Sequence, residues 1–135
     1  MKINKLILLV ISCTIAPCVM AQGKLDGISI ERGKLIYEQN CLACHQEDGS
    51  GVPHLSPPLI KASFVVGDKT RLINIVLHGL TGVEIDGESY ANPMPSFDFL
   101  NDREIAELLT YVRNDFTNEA SPVSPVEVTK VRKSK

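Results

Sequence analysis

The 135-residue sequence has no tryptophan, three tyrosines and four phenylalanines. It has only four cysteines, three histidines and three methionines. With so few sulfur and imidazole side chains, each position that can ligate a metal is easy to weigh. An excess of positive charge is also missing, since the formal net charge is −2. Phosphate binding needs a basic face, so nucleic acid is not the expected partner. There is no internal repeat, and the length fits one domain. A core of that size is modest and gains from a bound prosthetic group.

An uninterrupted apolar run long enough to span a membrane is lacking too. The stretches Leu6 to Ile11 and Ile15 to Met20 are separated by Ser12, Thr14 and Pro17, and polar residues follow at once. Lys2 and Lys5 precede them, and Val19-Met20-Ala21 offers a small-residue cleavage site. Residues 1–21 therefore read as a signal peptide, with the mature chain starting at Gln22 and carrying no transmembrane helix. The alternative is a lipid anchor, because Val10-Ile11-Ser12-Cys13 resembles a lipoprotein box, although the apolar stretch before Cys13 is very short. Cleavage removes Lys2 and Lys5 and takes the net charge from −2 to −4. Residues 22–120 then hold 8 Lys and Arg against 15 Asp and Glu, whereas residues 121–135 hold 4 against 1. The acidic body suits docking to a basic patch on another protein, and equally suits solubility alone.

The periodicity predicts helices. Ser29 to Asn40 is the first, with Ser29 as N-cap. Residues 46–67 contain Asp48-Gly49-Ser50-Gly51 and Ser56-Pro57-Pro58 and cannot form regular helix. A loop that long needs a job, and wrapping a cofactor is one. Asp68 to Leu80 is the second helix, ended by Gly79 or Gly82. Val83 to Tyr90 reads as a tight hairpin around Asp86-Gly87, the favoured type I′ pair. Asn101 to Phe116 is the clearest helix, with Asn101 and Glu104 as a capping box, a Leu100–Ile105 staple, and Ile105, Leu108, Leu109 and Val112 on its buried side. Residues 121–135 form a linker and a short basic helix over about 125–132, capped by Ser124 and Glu127, with Val128 and Val131 inward. The 22–120 stretch is the main domain.

Cys41-Leu42-Ala43-Cys44-His45 is C-x-x-C-H, the attachment signature for c-type haem. The spacing lets both thiols reach one edge of a flat macrocycle, with His45 offering an imidazole to iron. A simple zinc site would need two further ligands from the mature chain, and no second C-x-x-C pair exists. A thioredoxin-like dithiol would need a βαβ context, and the pattern here is helical. For the sixth position, Met94 is the one methionine left after cleavage and is stiffened by Pro93 and Pro95. Its bland role would be to fill a core gap. His54 and His78 compete for the same position. His54 lies in the Gly/Pro loop and is expected to meet solvent, and His78 suits a helix C-terminus.

The order of helix, C-x-x-C-H, Pro-Leu loop, helix, Met loop and capped helix resembles the class I cytochromes c over about residues 29–116. The stretch Leu77-His78-Gly79, the hairpin, Tyr90 and Met94-Pro95 look closest to small cytochromes associated with periplasmic quinoprotein alcohol dehydrogenases. The resemblance implies an all-α class I cytochrome c fold, helices packed around one covalently bound haem c, with a small hairpin before the Met loop. It implies a crossing of the first and last helices at Gly33 and Tyr37 against Leu108 and Tyr111. It implies that Pro57, or Pro58, before Leu59 accepts the proximal His45 N–H. Iron would be held by His45 and Met94, and the cofactor-binding residues would be Cys41, Cys44, His45, Met94, Pro57 and Leu59. The implied function is a periplasmic, monomeric one-electron carrier rather than an enzyme. It would work between redox protein partners, a dehydrogenase as donor and an oxidase or another cytochrome as acceptor. The alternatives are a fixed cytochrome subunit of a periplasmic dehydrogenase or respiratory oxidase complex, a haem sensor with an open sixth position, and a non-haem dithiol protein.

Overall fold

The computed structural model describes residues 27–134, so the leader, Cys13 and the cleavage site lie outside the described residues. Those residues form six helices and no strand. They are α1 (Gly27–Asn40), α2 (Leu42–His45), α3 (Ser63–Val66), α4 (Lys69–His78), α5 (Asp102–Val112) and α6 (Pro125–Lys133). The expected all-α class is observed.

Helix α5 starts as its sequence demands. Asn101 Oδ1 accepts from the N–H groups of Arg103 and Glu104, both at 3.0 Å, and Glu104 Oε2 accepts from Asn101 N–H at 2.8 Å. Three otherwise unpaired donors are thereby satisfied. Every residue from Ile105 to Val112 is buried, not just the expected apolar side. The reason is tertiary: α5 packs against α1, α4 and α6, and its Leu108, Leu109 and Val112 line a cavity. Its buried Glu107 is held by Arg32 at 2.7 Å and Arg103 at 2.9 Å.

Helix α1 crosses α5 at Gly33. A Cβ there would lie 2.2 Å from Glu107 O and 2.7 Å from Tyr111 Cβ, so only glycine permits the approach. Beside the crossing, Tyr37 and Tyr111 rings sit 5.6 Å apart, and Tyr37 and Phe116 rings 5.3 Å apart. Two expectations at the ends of this region need correction. Helix α1 begins at Gly27, so Ser29 lies in its first turn rather than at a cap. Residues 46–67 include one helical turn, Ser63–Val66, because Ala62, with extended backbone, restarts the chain after the prolines.

Helix α4 is capped by Asp68, which accepts from Arg71 N–H at 2.7 Å, and closes at Gly79. The hairpin is smaller than expected. It is a turn with positive φ at Asp86 (52°) and Gly87 (88°), closed by two Ile85–Glu88 backbone bonds of 2.9 and 3.0 Å. That is type I′ geometry without a strand ladder. Helix α6 has the Ser124–Glu127 capping box, and Val128 and Val131 enter the core. Arg132 binds Asp102 at 2.7 Å and Leu100 O at 2.7 Å, and Lys69 pairs with Glu127 at 2.6 Å.

Arg113, just past α5, is buried without a carboxylate partner. It donates to Val65 O at 2.5 Å, Gly67 O at 3.1 Å and Ser121 O at 2.8 Å. Asn118 similarly donates to Leu59 O and Val112 O and accepts from Lys61 N–H. Among the described residues, no buried side-chain N or O atom lacks a hydrogen-bond partner.

Candidate functional site

A cavity opens between α4, α5, α3 and the two long loops. Its walls are mainly aliphatic and aromatic, and Cys41, His45, Pro57, Leu59 and Met94 border it. A second cavity is bordered by Cys44 together with Cys41, His45, Pro57 and Met94. The two share Cys41, His45, Pro57 and Met94, four of the six residues singled out from the sequence, so each of the six borders at least one of two adjoining cavities. His54 and His78 are exposed and line neither cavity.

The Cys41–His45 segment is held by α1. Cys41 N–H donates to Tyr37 O at 2.8 Å and His45 N–H to Cys41 O at 3.0 Å, making the single turn α2. Tyr37 Oη donates to Gln46 O at 2.5 Å from below. His45 is buried, and its Nδ1 lies 2.9 Å from Pro57 O. A carbonyl oxygen only accepts, so Nδ1 carries the proton and the Nε2 lone pair is left for another partner. Burial pulls the His45 pKa below its ordinary value, and the Pro57 bond opposes this in part. Burial thus favours the neutral imidazole, the form in which histidine binds a metal. Pro57 is fixed by the glycine-rich loop, where Gly51 N–H donates to His45 O at 3.0 Å and Leu59 N–H to Gly49 O at 2.8 Å.

Cys41 and Cys44 are both free thiols, the first half-buried and the second exposed. Burial, helped by the neighbouring Cys44, pushes the Cys41 thiol up to about 12. Redox-active cysteine pairs have the opposite property, a depressed thiol pKa. The raised Cys41 pKa therefore argues against a thiol–disulfide exchange site.

Met94 is held by its backbone. Met94 N–H donates to Leu80 O at 2.9 Å and Leu80 N–H to Met94 O at 3.1 Å. Gly79 (φ 80°) allows this pairing, since a Cβ there would lie 2.5 Å from Met94 O. Ser96 Oγ donates to Leu77 O at 2.7 Å and Phe97 N–H to Val76 O at 2.9 Å, stitching the Met loop along the end of α4. On the other side, Ala91 N–H and Asn92 N–H donate to His54 O and Leu55 O.

Among the described residues, no three His, Cys, Asp or Glu side chains gather as a metal cluster. The site gathers one neutral imidazole, one thioether and two thiols around a wide apolar space. That donor set fits haem c: thiols for covalent bonds, nitrogen and soft sulfur for iron, and aliphatic walls for a flat macrocycle. The sequence reading missed Phe64, Val65, Val83 and Ile85 as cavity walls, and it missed Arg113. The hydrophobic pattern marks such residues as core but cannot say that they face a ligand. Arg113 has no local signal, because its carbonyl partners Val65 and Gly67 lie 48 and 46 residues away.

A family model described as Cytochrome c matches residues 30–115 of this chain. Cytochrome c-552 of Thermus thermophilus is 33% identical over 129 residues, covering 87% of this chain and 86% of its own. The alcohol dehydrogenase (quinone) cytochrome c subunit of Gluconobacter oxydans is 34% identical over 103 residues, covering 74% of this chain and 22% of its own. The gluconate 2-dehydrogenase cytochrome c subunit of Pantoea cypripedii is 33% identical over 118 residues, covering 84% and 27% respectively. The chain therefore spans most of the c-552 protein and about a quarter of each dehydrogenase subunit.

Proposed function

The chain belongs to the cytochrome c family, and from that premise we propose that it is a periplasmic one-electron carrier with a single haem c, ligated by His45 and Met94. Family membership implies covalently bound haem c and an electron-carrier role. When bound, that group supplies the ferrous–ferric couple. The chain's own residues do the rest. Cys41 and Cys44 would hold the macrocycle through thioethers. His45 would bind iron through Nε2, with Pro57 O fixing the ring and raising its basicity. Met94 would bind through sulfur, and a thioether raises the potential relative to a second imidazole. Aliphatic walls from α4 and α5 exclude water and favour the less charged iron state. No substrate bond is made or broken, so the protein acts as a carrier rather than an enzyme.

The carrying observation is that Cys41, His45 and Met94 border both of two adjoining apolar cavities, with Cys44 on one of them and His45 anchored on Pro57. The test is an optical spectrum in both redox states, with a haem stain after denaturation. One covalent haem, low-spin in both states, with a ferric Met–iron charge-transfer band that disappears in Met94→Ala, is expected. A band that survives Met94→Ala removes Met94 as ligand, and high-spin wild-type protein favours a sensor with an open position.

A second reading is a fixed subunit of a periplasmic dehydrogenase. It is favoured by two relatives that are themselves dehydrogenase cytochrome c subunits. Co-purification with a dehydrogenase at fixed stoichiometry would support it, and recovery as a free monomer would support the carrier. No helix among the described residues is long and apolar enough to cross a membrane.

A further inference from the structure

The chain from Leu80 to Met94 makes a loop that is shut at its base by the paired Leu80–Met94 backbone bonds. Its tip is the Asp86-Gly87 turn, and the tip is tied down. Asp86 Oδ2 accepts a 2.9 Å hydrogen bond from the backbone N–H of Ser63, a residue 23 positions earlier. Ser63 opens α3, whose Phe64 and Val65 line the cavity, and the loop lines the same cavity through Val83, Ile85 and Tyr90. One carboxylate therefore fastens two walls of the site to each other.

The two ends of this bond differ in support. The α3 side is rigidly placed. Arg71 donates to Ser63 O at 2.9 Å, its guanidinium sits 4.0 Å over the Phe64 ring, and Arg113 grips Val65 O and Gly67 O. The loop side is exposed from Thr81 to Glu84 and again from Asp86 to Ser89, with Ile85 alone buried between. A firm wall and a thin strap meet at one charge-assisted hydrogen bond.

We propose that Asp86 is a positioning residue, the latch of a strap that keeps Met94 seated against competing ligands. The inference rests on the reading of Met94 as an axial ligand. A thioether is a weak donor, so its hold depends on how seldom its loop moves away. The base bonds belong to the backbone and do not depend on any side chain of the strap itself. The tip bond belongs to one side chain, so this is where the strap opens first. Asp86 also sits at φ 52°, where asparagine and glycine are tolerated and other residues are strained. That allows the latch to be tested apart from the turn.

Asp86→Gly keeps the turn and removes the acceptor, while Asp86→Asn keeps both. Each is made as holoprotein with haem attached, and two quantities are measured. These are the rate of imidazole binding to the ferric form and the hydrogen exchange of the Ser63 and Met94 amides. In Asp86→Gly, imidazole binding should accelerate on the order of tenfold and both amides should lose protection. Asp86→Asn should stay within about threefold of wild type. An Asp86→Gly protein that binds imidazole at the wild-type rate overturns the latch alone. A wild-type protein that binds imidazole as fast as Met94→Ala overturns the Met94 reading and the latch with it.

Discussion

On one side of the molecule, helix packs on helix. Gly33 lets α1 close on α5, Tyr37, Tyr111 and Phe116 stack beside the crossing, and α6 adds Val128 and Val131. Ion pairs tie the edges, Arg32 and Arg103 to Glu107, and Arg132 to Asp102. On the other side, helices are short or absent and the walls stand around a cavity. There the ties are one or a few hydrogen bonds between distant segments: His45 to Pro57 O, a pair between Leu80 and Met94, Ser63 N–H to Asp86, and Arg113 to the carbonyls of Val65 and Gly67. The helical side gets its order from area buried between regular elements. The cavity side gets it from donors and acceptors that meet once, which is suited to holding a group at fixed ligands.

The largest effect should come from the cavity side's one nitrogen donor. His45→Ala removes the buried imidazole and leaves Pro57 O without its partner. Covalent haem stain should fall to background, with no low-spin spectrum in any residual protein. A normal spectrum from this variant would remove His45 from the site.

Next is the helical side. Gly33→Val would drive a branched side chain into Glu107 O, which is backbone and cannot step aside. Overpacking of that kind should cost about 3 kcal/mol, read as a fall in the thermal midpoint by circular dichroism. A cost under about 0.5 kcal/mol would mean that the helix crossing is looser than its geometry implies. Arg113→Met ranks third. It should cost about 2 kcal/mol, because the carbonyls of Val65 and Gly67 lose a charged donor. Its amide exchange should rise around α3 while the α1–α5 crossing stays protected, which separates the two sides directly.

The same contrast explains what was legible in the sequence. The capping boxes at Asn101–Glu104 and Ser124–Glu127 and the Asp86-Gly87 turn are local, with every partner within a few residues. Each could be read from residue type and spacing. The C-x-x-C-H run is local too, and it drew attention to the right end of α1. What could not be read joins residues far apart. Nothing near Asp86 points to Ser63, and nothing near Arg113 points to Val65. The burial of α5 all round was hidden because periodicity reports one partner face, and this helix has three helical neighbours and a cavity wall. The turn at Ser63–Val66 was hidden by the prolines before it, whose influence ends at Ala62.

The smallest effect tests the helical side by acid. Asp102 is held below the usual carboxylate range by its hydrogen bond from Thr129 and then by Arg132. Burial pushes Glu127 up, but Lys69 and the Ser124 cap more than offset it, and its pKa is also lowered. A carboxylate with a depressed folded pKa contributes stability above its unfolded value of about 4, and loses it as pH falls through the folded value. Both groups fasten α6, so the docking of α6 should weaken first below about pH 4. Each pair is partly exposed, so the loss should be about 0.2–1 kcal/mol apiece and smaller in high salt. Arg113 holds carbonyl oxygens, which do not titrate, so its ties to Val65 and Gly67 should persist over the same range, whereas the Ser63 N–H bond to the Asp86 carboxylate, also held below its ordinary pKa, should loosen with acid. Amide exchange at α6 and at Val65 to Gly67 of the α3 end, followed from pH 6 to 3, checks both halves at once. Asp102→Asn should flatten the α6 response. Equal acid sensitivity at the two helices would mean that the ion pairs do not distinguish the two sides.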